Sequence, residues 1–177
     1  TVLAVSQNEQ DNQLFEGDLL NYGHQINNND LVKLLVEQSN KEYKYVTSIG
    51  VPMEKDSNTY PSHRSPRLVK GVGHFGQTLL SKLKNEAIKK GVNIIENATL
   101  YEVEQEGETK RAHIHLKGKG QPTEMQVVFS SLILATGGTG QMFSYSTNPS
   151  GSTGDGVGLA LRLGAKVTNL EFLHFLP

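Results

Sequence analysis

The sequence predicts a mixed α/β fold with an antiparallel β-meander inserted ahead of a buried strand. Three observations carry that expectation. Apolar residues recur at helical spacing over residues 30–48 and again over 76–90. Three alternating, β-rich segments follow between residues 99 and 129. A short apolar run, Leu132–Ala135, then opens directly into clustered glycines.

Taken in order, the polar run Gln7–Gln13 and the Asn27–Asp30 patch read as surface loop. Asn29 or Asp30 can cap a helix with Leu31, Leu34, Leu35 and Val46 facing inward, running to about Ser48 and broken by Gly50-Val-Pro52. Met53–Gly71 reads as a polar loop containing Tyr60-Pro-Ser-His-Arg-Ser-Pro-Arg67. A second helix is expected over Gly76–Lys90, with Leu79, Leu80, Leu83 and Ala87 inward and Gly91 as its left-handed stop. Val92–Ile95 reads as a short buried strand. Thr99–Gln105, Arg111–Lys117 and Gln126–Phe129 form the meander, with turn signals at Glu106-Gly107 and Lys117–Pro122. Leu132–Ala135 is apolar throughout, as a strand covered on both faces must be. Gly154–Gly164 reads as a helix with its own stop, and Ala165–Asn169 and Glu171–Phe175 as strands. The chain thus divides into a helical and loop segment (1–98), the meander (99–130) and a strand–turn–helix segment (131–177).

Composition narrows the function. The 177 residues hold 17 basic and 18 acidic side chains for a net charge of −1, which argues against a nucleic-acid or anionic-membrane surface. No run approaches the roughly 18 apolar residues of a membrane span, and Thr1–Ser6 lacks the basic flank of a signal peptide. A cytoplasmic setting is the expectation. With no cysteine, disulfides, thiol catalysis and thiolate metal sites are excluded. Both ends read as cut: the chain opens on Thr1-Val-Leu-Ala-Val and stops inside the apolar segment Leu170–Pro177.

Two stretches carry chemistry. In Leu132–Gly140 a buried strand runs into Thr136-Gly-Gly-Thr-Gly140, where the absence of Cβ atoms lets backbone approach a flat or phosphorylated ligand. In open α/β sheets ligands sit beyond the carboxyl ends of the strands; a tight turn with no ligand fits the same residues. The second stretch, Thr147-Asn-Pro-Ser-Gly-Ser-Thr-Gly-Asp-Gly156, leads into a helix that Ser152 or Thr153 can cap. Asp155 in the first turn either complements the helix N-terminus or binds a cofactor's polyol.

Ala135-Thr-Gly-Gly138, Asn148-Pro149, Thr153-Gly-Asp-Gly156 and Leu170-Glu-Phe172, in that order and spacing, resemble the flavoprotein family of L-aspartate oxidase and the flavoprotein subunits of fumarate reductase and succinate dehydrogenase. More loosely, Leu14-Phe15, Asp18, the helix after Asp30, Arg67 and the 76–92 helix are similar to the same family. The resemblance implies part of a Rossmann-like FAD-binding domain with the meander inserted. It implies FAD as cofactor and hydride transfer between flavin and a small carboxylate. Ala135, Thr136, Gly137, Gly138 and Asp155 match its FAD-contacting positions. Its N-terminal diphosphate turn has no counterpart here, because Gly71-Val-Gly-His-Phe-Gly76 follows no buried strand. Its catalytic arginine, in the capping domain, also lies outside this chain, so a second chain supplying the missing parts is one expectation.

Substrate residues match less well. Leu176 stands where the family carries a carboxylate-binding histidine, and His174 stands two positions earlier, on the same strand face. Fumarate reductase- or succinate dehydrogenase-like chemistry is the first expectation. L-aspartate oxidase-like amino-acid oxidation is the alternative: Asn148-Pro149 favours it, while the lack of an acid between Asn58 and Lys70 counts against it. A non-catalytic fragment or interaction module, and an unrelated α/β domain, complete the readings. His63 and Arg64 could approach a flavin or substrate. His113 and His115 share a strand face without an evident third ligand, so an exposed face is expected there and no metal.

Overall fold

The structure is a computed structural model that describes residues 2–118, 121 and 123–175. The chain forms two compact units, Thr1–Ile94 and Ile95–Pro177.

The first unit contains β1 (Val2–Ala4), α1 (Glu9–Tyr22), α2 (Asn29–Ser48), β2 (Met53–Lys55), β3 (Leu68–Gly71) and α3 (Phe75–Lys89). Its sheet is antiparallel in the order β1-β3-β2, with Val2 opposite Lys70 and Met53 opposite Gly71. Helix α1 replaces the loop expected over Gln7–Gln13. Asn8 caps it by accepting the Asp11 N–H at 3.0 Å, and Phe15 is buried on its inner face beside Asp11 and Asp18. The expected Met53–Gly71 loop carries a strand at each end.

Helix α2 spans the expected residues, but Asn28 caps it, accepting the Leu31 N–H. Its orientation also differs from expectation. Val32 and Val36 are buried, whereas Leu31, Leu34 and Leu35 are more than half exposed. Hydrogen bonds fix the rotation: Ser6 N–H donates to Ser39 Oγ at 3.0 Å and Asn40 Nδ2 donates to the Ser6 carbonyl at 2.7 Å. Residues 32, 36, 39 and 40 form one stripe at helical spacing, which brings the two valines inward with the polar pair. Helix α3 and its stop at Gly91 (φ +78) follow expectation, yet Phe75 is its buried residue and Leu80 is 69% exposed.

The second unit holds the meander β4 (Ala98–Glu106), β5 (Thr109–Leu116) and β6 (Thr123–Phe129), a 3₁₀ turn at Gly140–Met142 and helix α4 (Asp155–Arg162). The meander is antiparallel in chain order, with Val103 opposite Ala112 and Ala112 opposite Val127. Gly164 (φ +80) follows α4 as its stop. Four expected strands are absent among the described residues: Val92–Ile95, Leu132–Ala135, Ala165–Asn169 and Glu171–Phe175 are irregular. Ile133 is 89% exposed and Val92 53%. A strand exists only by pairing its backbone, and these segments have no hydrogen-bonded neighbour strand among the described residues. The overall class, helices with antiparallel sheets that include the expected meander, follows the mixed α/β expectation.

The His113–His115 face departs from expectation too. Tyr101 stacks on His115 with ring centroids 4.0 Å apart and planes at 14°, and the His113 side chain is only 13% exposed. A different grouping, without His115, lies beside it: Glu102, Glu104 and His113 bring their possible ligand atoms within 4.8 Å of one another, with Glu104 Oε2 3.1 Å from His113 Nε2. The two carboxylates are exposed, and such groups commonly stand without an ion. No helix among the described residues is long and apolar enough to cross a membrane.

Candidate functional site

The two glycine-rich stretches singled out in the sequence lock into each other. After Ala135 the chain turns at Gly137, whose φ of +76° disfavours any side chain with a Cβ. It then passes so close to α4 that a Cβ on Gly156 would overlap the Thr136 hydroxyl, while one on Gly154 would lie 3.0 Å from Thr139 Cγ2. On the other side, a Cβ on Gly140 would overlap the Asn148 amide. Gln141 N–H donates to the Ser152 carbonyl at 3.0 Å and Gln141 Nε2 donates to the Asn148 carbonyl at 2.7 Å. The turn and the start of α4 are therefore held in register by glycines at contact and by backbone hydrogen bonds.

Beside this junction lies an open cavity of about 910 Å³. Gly138, Thr139 and Gly140 line it from the turn, Phe143–Asn148 from the following loop, and Asn169–Phe175 from beyond α4, leaving out Glu171. Phe143 meets Phe175 edge to face, centroids 5.1 Å apart at 89°. The volume and the aromatic lining suit a flat heteroaromatic ring. A Cβ on Gly138 would meet nothing within 4 Å, so this glycine leaves open space at the turn where a ring can lie.

Of the residues expected to form the site, Gly138 and His174 line this one cavity. Thr136 packs against Gly156 and Ala135 is exposed. Asp155 begins α4; Gly154, not Ser152 or Thr153, occupies the cap position, and Thr153 Oγ1 instead donates to Asp155 Oδ2 at 2.7 Å. Leu176 lies outside the described residues. Sequence reading missed the aromatic wall of Phe143, Tyr145, Phe172 and Phe175; four aromatics flanking the glycine motifs in a chain with only 7% aromatics were the available signal.

A glycine turn beside an aromatic-lined cavity is an arrangement that can receive a flat cofactor ring. The chain belongs to the FAD binding domain family, whose profile matches residues 2–177, and its cofactor is FAD. It is 34% identical to L-aspartate oxidase of Streptomyces coelicolor over 90% of its own length and 29% of that protein, and 30% identical to L-aspartate oxidase of Clostridium perfringens over 99% and 40%. In fold it is similar to a flavocytochrome c3 fumarate reductase in its open conformation (TM-score 0.76, 23% identity, 91% of this chain and 32% of that one). A Mycobacterium smegmatis Sdh1 complex is similar to the same degree (TM-score 0.75, 22% identity, 90% and 30%). The chain thus spans well under half the length of these relatives. The reading as an unrelated α/β domain is overturned by the family match.

Proposed function

We propose that this chain is the flavin-facing part of an FAD-dependent oxidoreductase that moves a hydride between FAD and a small carboxylate, as fumarate reductases and succinate dehydrogenases do. The supporting observation is the cavity in which Gly138 of the glycine turn and His174 line one space. FAD, when bound, supplies the ring system that accepts or donates the hydride. Gly138, on the cavity wall, would leave room for close approach of that ring, and Ala135, Thr136 and Gly137 would form the turn that presents it. The Asp155 carboxylate accepts hydrogen bonds from cofactor hydroxyls, as it accepts one from Thr153. Phe143, Phe172 and Phe175 would give the ring an aromatic lining, and His174 would donate an imidazole N–H to a substrate carboxylate. The diphosphate turn and the capping domain come from outside these residues, in the same polypeptide or in a second chain.

L-aspartate oxidation is the second reading, favoured by the 34% identity to the Streptomyces coelicolor enzyme. One experiment tests the class: mix the purified chain with FAD, pass it through gel filtration and record the visible spectrum. A flavin band travelling with the protein is expected. If the chain emerges colourless, and a longer protein carrying the diphosphate turn does too, the flavoprotein reading fails. Assays of the longer protein with fumarate, succinate and aspartate then separate the two chemistries.

A further inference from the structure

The polar face of the meander gathers metal-ligating side chains from two strands. Glu102 and Glu104 stand two residues apart on β4 and so share a face, and Glu102 lies directly opposite His113 of β5. Strand β4 bulges between Leu100 and Glu102, and the extra residue, Tyr101, packs its ring on the same face, stacked on His115 and 6.1 Å from His113. We propose that Glu102, Glu104 and His113 Nε2 form a binding site for a divalent cation of the zinc type, which ties β4 to β5.

The imidazole sets this group apart from an ordinary acidic face. His113 Nε2 is shut off from solvent and makes no hydrogen bond among the described residues. It lies 3.1 Å from Glu104 Oε2, near enough for an ion pair but without the alignment of a hydrogen bond. A buried nitrogen left without a partner costs free energy. A cation between the two atoms supplies that partner, because the nitrogen and oxygen lone pairs then converge on a shared centre instead of on each other. At zinc–ligand lengths of about 2.0–2.2 Å, tetrahedral neighbours stand about 3.4 Å apart, close to the spacing seen here. The Glu102 ligand atom lies within 4.8 Å of the other two, and its exposed side chain is free to swing inward.

Charge and framework agree with this. Two carboxylates and a neutral imidazole leave two negative charges for a divalent ion to balance. Among the described residues no lysine or arginine pairs with Glu102 or Glu104; Arg111, across from Glu104, sends Nη1 toward Glu106 at 3.6 Å instead. Burial first, and then Glu124, Glu102 and Glu104, hold the Tyr101 hydroxyl above its ordinary pKa, so the negative charge of this face is felt by its neighbours. His113 stands on the central strand, hydrogen-bonded on both sides, which fixes its backbone. Ligation at Nε2 places the ring proton on Nδ1. The Gln126 side-chain amide lies 3.5 Å from that atom, and its oxygen can turn to accept the proton and hold the ring. An imidazole among the ligands selects zinc-like ions over magnesium and calcium, which take oxygen shells.

The test titrates zinc ions alone into the chain, labelled with ¹⁵N at histidine, in a buffer that does not bind metal. It needs no flavin, so its result is independent of the flavoprotein reading. NMR should show a saturable shift at His113 Nε2, and the urea midpoint should rise with zinc because the ion binds only the folded meander. Glu104→Gln, at an exposed side chain, keeps the shape and removes a ligand; it should weaken zinc binding by roughly tenfold or more, as should His113→Gln. His115→Gln, on the same face but outside the cluster, should leave the affinity unchanged. Magnesium is the parallel titration, and weaker binding than zinc is expected. No saturable shift, a shift centred on another histidine, affinity unchanged in Glu104→Gln, or magnesium binding as tightly as zinc each overturns the proposal.

Discussion

Replacing Arg67 by leucine removes the one cation that two buried carboxylates share. Arg67 reaches Asp11 through Nε and Nη2 and Asp18 through Nη1, and its guanidinium lies 4.7 Å from the centre of the Phe15 ring. The side chains of Asp11 and Asp18 are 7% and 4% exposed, so neither can recover solvation in place. Asp18 keeps Arg64; Asp11 keeps only Ser65 and the Gln7 N–H. Stranding a buried charge in this way costs about 3–5 kcal/mol, a large share of the roughly 5–15 kcal/mol that holds a domain together. The loss should also depend on pH with a definite sign. In the native chain burial raises each aspartate's pKa most strongly among single influences, but the hydrogen bonds and charge of Arg67, with Ser65 for Asp11 and Arg64 for Asp18, together bring both below 3.8. A folded pKa below the unfolded one stabilises above pH 3.8 and loses that contribution as pH falls through the folded value. Without Arg67, burial prevails at Asp11 and its folded pKa rises above 3.8. Stability from that group then falls as pH rises through the new value. The gap between native chain and variant should therefore be widest at pH 7 and narrow toward pH 4. Urea unfolding followed by circular dichroism at pH 7, 5.5 and 4 measures it. A gap under about 1 kcal/mol at pH 7, or one that does not change with pH, would refute the reasoning.

Other expectations follow from the same structure. Asp155→Ala should weaken FAD retention in gel filtration of the flavin-loaded protein; equal occupancy would leave Asp155 a helix-start residue only. Gly156→Ala pushes a methyl into Thr136 and should cost about 1–3 kcal/mol in urea unfolding despite alanine's better helix propensity; Thr136→Gly in the same chain should recover part of it. Asp56, held to about 2 first by Lys70 and then by Asn58 and Tyr60, adds stability that is present above pH 3.8 and lost as pH falls toward 2. In thermal unfolding, Asp56→Asn should flatten the pH dependence across that window, and an unchanged slope would show the Lys70 contact to be idle.

Local signals were legible in the sequence and distant ones were not. The glycine turn, the start of α4, the stops at Gly91 and Gly164 and the meander each depend on neighbouring residues, and each appears within a residue or a few of its expected place. Helix α1 was hidden because its inner face, Asp11–Phe15–Asp18, is two-thirds acidic; the residue that makes those acids buriable is Arg67, 56 positions beyond Asp11. The rotation of α2 was hidden for a similar reason, since its inward stripe ends in Ser39 and Asn40, whose partner is Ser6. The apolar run Leu132–Ala135 was read by composition as a strand, but strand character needs a backbone partner that a one-dimensional pattern does not supply. At the site, His174 and Gly138 line one cavity, whereas Phe143 and Phe175 find each other only after the chain folds back over 32 positions.

The two sheets differ in how far the chain must travel to close them, and that sets an order of events in folding. In the meander each strand pairs with the next, Glu106 facing Thr109 across a two-residue turn. Such hairpins close in about 1–10 μs. Strand β1 pairs instead with β3, Val2 against Lys70, so its ladder waits until α1, α2 and the loop between them have collapsed. Loop entropy is lost before that contact returns anything. During refolding, amide protons of strands β4, β5 and β6 should become protected from exchange early and those of Val2–Ala4 last. During unfolding under native conditions, the N-terminal strand should be the first to peel away, releasing the Ser6 bonds that orient α2.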